Sequence, residues 1–222
     1  MKAFTAKSTP ADHAVYWIKD LHTRNRVSVI AECSKGCHYC CHQIVSITIF
    51  EAIRLANGLE ELNESDLSAV HSRAALNVDA NNKTSSDEDR WKLRKPCSLL
   101  KGESCSVYEH RPLACIATHS VNRAHCIDQF NDKETKHHLA PMVRIDELSI
   151  EGILNYQISL AVRNQSDLRN LFSESNRKGL IIDLDRFIHF YCIPKPKERE
   201  RRMEMLVNFD TKTLFSLEKQ TE

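Results

Sequence analysis

Nine cysteines occur in this 222-residue chain, and eight of them fall between positions 33 and 126. They form two groups, Cys33-x3-Cys37-x2-Cys40-Cys41 and Cys97-x7-Cys105-x9-Cys115-x10-Cys126. A chain of this length can bury a core without covalent staples. The opening stretch MKAFTAKSTP has no apolar run of signal-peptide type, and no run of ~18 apolar residues follows it anywhere. The expectation is a cytoplasmic protein with no membrane contact, in which clustered thiols ligate metal rather than pair as disulfides. Thiolates are soft ligands that suit zinc or an iron–sulfur cluster. A tight loop would supply part of the shell and the distant group would close it, which links folding to metal binding.

The candidate ligands are therefore Cys33, Cys37, Cys40, Cys41, Cys97, Cys105, Cys115 and Cys126. Cys33, Cys37 and Cys40 have the spacing of a chelating loop. Cys40 and Cys41 are adjacent, so their side chains diverge by about 100° on a helix or point to opposite faces of a strand. Either they serve different metals, or one ligates and the other lies behind it. Eight thiols could fill two four-thiolate sites, or one site with spare thiols. An all-thiolate zinc site carries net negative charge, and Lys35, Arg94, Lys95 and Arg111 are the nearby cations in sequence. Cys126 reads equally as a ligand or as a small hydrophobe, and Cys192, inside an apolar run, reads as core.

Composition sets the fold class. Lys and Arg total 31 against 30 Asp and Glu, so nucleic-acid binding through bulk positive charge is not expected. With only 5 glycines and 6 prolines, the turns of a sandwich, barrel or doubly wound sheet are hard to supply. We expect a mainly α fold, a helical domain with an irregular Cys-rich metal-binding loop region and few or no strands. Residues 1–140 would form the metal-binding region, and residues 141–222 a C-terminal helical region packed on it as one unit.

Residues 11–24 place Val15, Ile18 and Leu21 at helical spacing, whereas 26–31 (RVSVIA) read as a strand or extended segment. Thr48 and Glu51 form a capping box ahead of a helix, and Ser65 with Asp66 would cap the next. Residues 81–89 read as an exposed loop. Ile150, Ile153, Leu154, Ile158 and Leu160 mark a helical face. Ser166-Asp167 would start a further helix that Gly179 ends. Residues 182–193 read equally as helix or buried strand. The Arg/Glu run after Pro196 reads as a solvated helix face with i,i+4 pairs. Of eleven histidines, His38 and His42 lie inside the first cysteine loop and His119 and His125 between the last two clustered cysteines; most read as solvated or core-satisfied.

CSKGCHYCC, followed by CSLLKGESCSVYEHRPLAC, resembles the YkgJ-type cysteine-cluster family of zinc- or iron-chelating domains. The likeness rests on the double cysteine, on the helix start at Thr48 and Glu51, and on Tyr108, Arg111, Pro112 and Cys115, and it covers roughly residues 30–126. Ile116 stands where the family often has arginine. The resemblance implies a fixed structural task for Arg111 beside the metal. It also implies a distant similarity to the metal domain of flagellin lysine N-methylases, which use S-adenosylmethionine with an iron–sulfur cluster.

Cys33-x3-Cys37-x2-Cys40 also looks like the radical S-adenosylmethionine signature, but that fold needs repeated βα units that are not in evidence here. The expected function is metal binding through cysteines of both groups. The alternatives are an S-adenosylmethionine-dependent methyltransferase acting on a protein lysine, and a metal-braced module that binds another protein.

Overall fold

The computed structural model describes residues 9–131, 145–164, 180–192 and 196–207. The fold is mainly α, and the strands among the described residues make only two small two-stranded sheets. Helix α1 (Pro10–Arg24) starts where Thr9 and Asp12 cap each other and Pro10 occupies the first turn. Ile18 on its inner face is fully buried. The next apolar run does not become a strand. Arg26 takes a left-handed conformation (φ 51°), and Val27–Ile30 forms a single helical turn, α2. Only Val27 is buried there, while Val29 is 77 % exposed, so the run has no sheet to join.

Strand β1 (Ser46–Thr48) leads into α3 (Ile49–Glu60), which begins at the Thr48–Glu51 capping box. Helix α4 (Glu64–Asn82) is capped by Asn63, whose side chain accepts from Asp66 N–H, and not by Ser65. The loop after it is shorter than the sequence suggests, because α4 runs to Asn82 and α5 (Asp87–Lys92) begins at the Ser86 cap. Two further strands, β2 (Leu100–Lys101) and β3 (Ser104–Cys105), form a hairpin; helices α6 (Leu113–Ala117) and α7 (Arg123–Asn131) follow. Helix α8 (Ile150–Asn164) buries Ile153, Leu154 and Ile158 along the expected face. The helix start expected at Ser166-Asp167 and its end at Gly179 lie outside the described residues.

The ambiguous stretch 182–193 is both things in turn. Strand β4 (Ile181–Asp183) pairs antiparallel with β1, Thr48 opposite Ile181, and α9 (Leu184–Tyr191) continues from it. Helix α9 lies along α4 and α8 along α1, so late chain closes over early chain around one core that includes Phe50, Leu55, Leu113, Ile153, Ile188 and Tyr191. The Arg/Glu run of α10 (Pro196–Val207) is not uniformly solvated. Arg199 and Arg202 are each 5 % exposed. Arg199 pairs with Glu60 (3.1 Å) and Glu64 (3.3 Å), and Arg202 lies 4.1 Å over the Phe190 ring. Two of the arginines thus dock α10 on its neighbours, Arg199 through carboxylates and Arg202 over a ring, with the Arg202 ion pair going to Glu198 of α10 itself.

At the α4–α9 seam His71 and His189 stack face to face, 5.2 Å apart. Burial is the main force that lowers the pKa of each; Arg202 adds to it for both, and His189 adds to it for His71. A histidine whose folded pKa lies below its unfolded value stabilises the fold fully above that value, and the contribution fades as pH falls through it. Denaturant titrations on acidification below about 6.5 should therefore show falling stability, with a shallower fall in His71→Phe; equal slopes would refute the seam's part in it. A second expectation concerns Gly58 of α3. A Cβ there would stand 2.5 Å from the Cβ of His110. Gly58→Ala should lower stability by about 1–3 kcal/mol through overpacking, although alanine favours a free helix.

Candidate metal centre

The first cysteine group is a sequence of tight turns. Gly36 supplies a left-handed turn (φ 90°), Cys37 N–H donates to Ser34 O (3.0 Å), and Tyr39–His42 form one 3-10 turn. Cys97 N–H donates to Cys41 O at 2.7 Å, so the two groups are stitched backbone to backbone. The second group is spread over the β2–β3 hairpin, turned at Gly102 (φ 62°), a 3-10 turn at Tyr108–His110, and α6, which carries Cys115.

One face of α3 holds this second group in place. Glu51 Oε2 accepts Thr48 N–H (2.9 Å) and closes the capping box, while Oε1 accepts Leu113 N–H (2.7 Å) at the start of α6. One turn on, Arg54 donates to the backbone carbonyls of Glu109 and Arg111 and pairs with Asp12 at 3.4 Å. A further turn on, the bare Gly58 admits His110. Helix α4 holds the loop before the hairpin. Arg73 donates to Ser98 O (2.8 Å), and Asn77 donates to Pro96 O (3.0 Å) and to Asp185 of α9 (3.1 Å). Sequence reasoning identified the capping box but not the second acceptor task of Glu51, nor Arg54, Arg73, Asn77 and Asp185. The spacing 51–54–58 was the available signal, since it places those three on one helical face.

These supports bring Cys33, Cys37, Cys40, Cys41, Cys97, Cys105 and Cys115 to the walls of one cavity of about 200 Å³. Lys35, Tyr108, Arg111 and His119 share the lining. Cys126, on α7, is outside the lining, although its charge would be felt at Cys33 and Cys37. Cys192 is core, with burial pushing its thiol up to about 12. Of the four expected cations, Lys35 and Arg111 reach the cavity, the latter resting 3.9 Å over the Tyr108 ring. Arg94 instead covers Trp91 (3.5 Å), and Lys95 donates to Leu76 O. His38 and His42 pack around Phe130 rather than into the cavity.

The seven thiols surround the space without crowding to its centre. Among the described residues no three Cys, His, Asp or Glu side chains stand in a group tight enough to hold a metal ion. Burial raises the pKa of Cys33, Cys37, Cys97, Cys105 and Cys115. Cys40 is exposed as a residue, yet its thiol is raised first by its hydrogen bond to Cys41 and then by loss of solvent around the sulfur. Arg111 opposes the rise at Cys40, Cys105 and Cys115, and Arg123 does so at Cys37. Neutral thiols neither repel nor attract one another strongly, so nothing gathers them until a cation makes thiolates favourable. A sulfur-lined space with cations behind it has the donor chemistry a thiophilic metal needs.

Compared with known proteins, residues 32–139 match the family model CxxCxxCC, described as a "Putative zinc- or iron-chelating domain". No curated protein and no solved structure matches the chain.

The Glu51 brace is testable. Glu51→Gln keeps the size but replaces one acceptor oxygen with a donor, leaving one of two buried N–H groups unsatisfied. Chemical denaturation should show a loss of about 1–3 kcal/mol. A loss within experimental error would mean that the carboxylate does not hold α6 to α3.

Proposed function

We propose that this chain, whose residues 32–139 match the CxxCxxCC family model, binds zinc or an iron–sulfur cluster in the cavity between its two cysteine groups. The observation that carries the reading is the meeting of seven thiols from separate stretches around one space of about 200 Å³. A bound metal would supply the positive charge that makes thiolates stable there. The chain supplies the rest. Cys33, Cys37, Cys40 and Cys41 come from one compact loop, Cys97, Cys105 and Cys115 from three supported positions, and each ligating thiol gives up its proton to solvent on binding. Arg111 and Lys35 offset the negative charge left behind. Cys126, adjacent through its field to Cys33 and Cys37, completes the proposed set of eight.

Most of the helical core lies outside the cysteine loops, although Leu99, Val107, Leu113, Ile116 and Ala117 of the second stretch join it. Its buried residues come chiefly from α1, α3, α4, α8 and α9. Metal binding would therefore order the cysteine loops rather than fold the whole chain, unlike a small zinc finger. A methyltransferase reading draws no support from the cavity, because ~300–1,000 Å³ is usual for a ligand far smaller than a protein and this space is smaller.

Protein purified without oxygen should carry metal at a fixed ratio to chain, seen by elemental analysis, with visible absorption if the metal is in an iron–sulfur cluster and none if it is zinc. Cys115→Ser should lose most of it, and Cys192→Ala should keep it. Metal that is far below stoichiometric, or equally retained in both variants, would refute the reading. Chelation should speed amide exchange in residues 33–43 and 97–118 while leaving α4 and α9 protected; uniform loss of protection would mean that the metal holds the core instead.

A further inference from the structure

We propose that His119 is a ligand of the same centre, giving a mixed thiolate–imidazole donor set of the kind that holds zinc. The proposal rests on the metal-binding reading above and adds a residue that neither the cysteine pattern nor the family description assigns.

Four observations converge on this side chain. His119 lines the cavity together with the seven thiols. Its Nδ1 is shut off from solvent and has no hydrogen-bond partner. The ring is held from the side of α1, where His22 meets it edge-on with centroids 4.7 Å apart. The chain on either side is tied to thiols. Ser120 N–H donates to Cys33 Sγ at 3.1 Å, and His119 follows two residues after the end of α6, which carries Cys115.

A histidine that ligates a metal needs one ring nitrogen with an uncommitted lone pair and a ring orientation fixed by other contacts. His119 meets both requirements. His38 does not, although its Nδ1 is also buried and unpartnered, because its ring stacks on Tyr39 at 4.9 Å and lies off the cavity. Charge favours the same assignment. Four thiolates on a zinc ion leave about two negative charges, and exchange of one for neutral imidazole leaves about one. Among the described residues, Lys35 and Arg111 are the Lys and Arg side chains that line the cavity to meet that charge. His22 then acts as a positioning residue that fixes the ring of His119.

The test uses the whole chain loaded with cadmium-113 and read by proton–cadmium correlation. We expect cross-peaks from the metal to cysteine β-protons and to the ring protons of one histidine, and loss of the ring peaks alone in His119→Gln. Should that variant fail to fold, X-ray absorption on the zinc-loaded wild type reads the same point, as a nitrogen shell beside the sulfur shell. Stoichiometric metal with cross-peaks to cysteine protons only, or ring peaks that persist in His119→Gln, overturns the proposal while leaving the thiolate centre intact. Failure of the wild type to take up metal at a fixed ratio overturns both.

Discussion

The Glu51 carboxylate is 2 % exposed and joins the start of α3 to the start of α6. One oxygen closes the start of α3 and the other receives the first free N–H of α6. A buried carboxylate is tolerated only where donors surround it. Here the donors are backbone groups, so the cost of burial is converted into a fixed distance between α3 and the helix that carries Cys115. Thr48 extends the brace, since its hydroxyl donates to Gln157 of α8 at 2.8 Å. A capping box that would normally end one helix tidily thus anchors the second cysteine group to the core.

The rest of the centre follows from this arrangement. Arg54 and Gly58 continue along the same face and set the 108–111 turn, where Arg111 enters the cavity. From the opposite side, α4 and α9 grip the loop at Cys97 through Arg73, Asn77 and Asp185. The first cysteine group has fewer supports of its own and is tied across by the Cys97–Cys41 bond and by Ser120 on Cys33. The second group is thus fastened to the helical core, and the first is fastened chiefly to the second.

The sequence is legible where a helix start or a helical face alone decides the outcome. Thr48 with Glu51, the face through Ile153 and Ile158, and Cys192 as core are of that kind. Errors arose where partners distant in sequence decide. Residues 26–31 have strand-like composition, but no strand among the described residues pairs with them, and a left-handed Arg26 leads them into one helical turn. Residues 181–183 do find a strand, β1, about 135 positions earlier in the chain, and become strand before helix. The Arg/Glu run looked solvated because helical spacing cannot show that Glu60 and Phe190 wait on one side of it. Among the cations flanking the cysteines, only the fold separates Lys35 and Arg111, which reach the cavity, from Arg94 and Lys95, which do not.

The central claim is that far-separated thiols act as one set around one inorganic centre. Alkylation of the native chain under anaerobic conditions, read by mass spectrometry, tests this directly. The cavity cysteines should resist modification together and become reactive together when metal is withdrawn. Cysteines that react one by one, at rates set by their individual exposure and indifferent to a chelator, would contradict it.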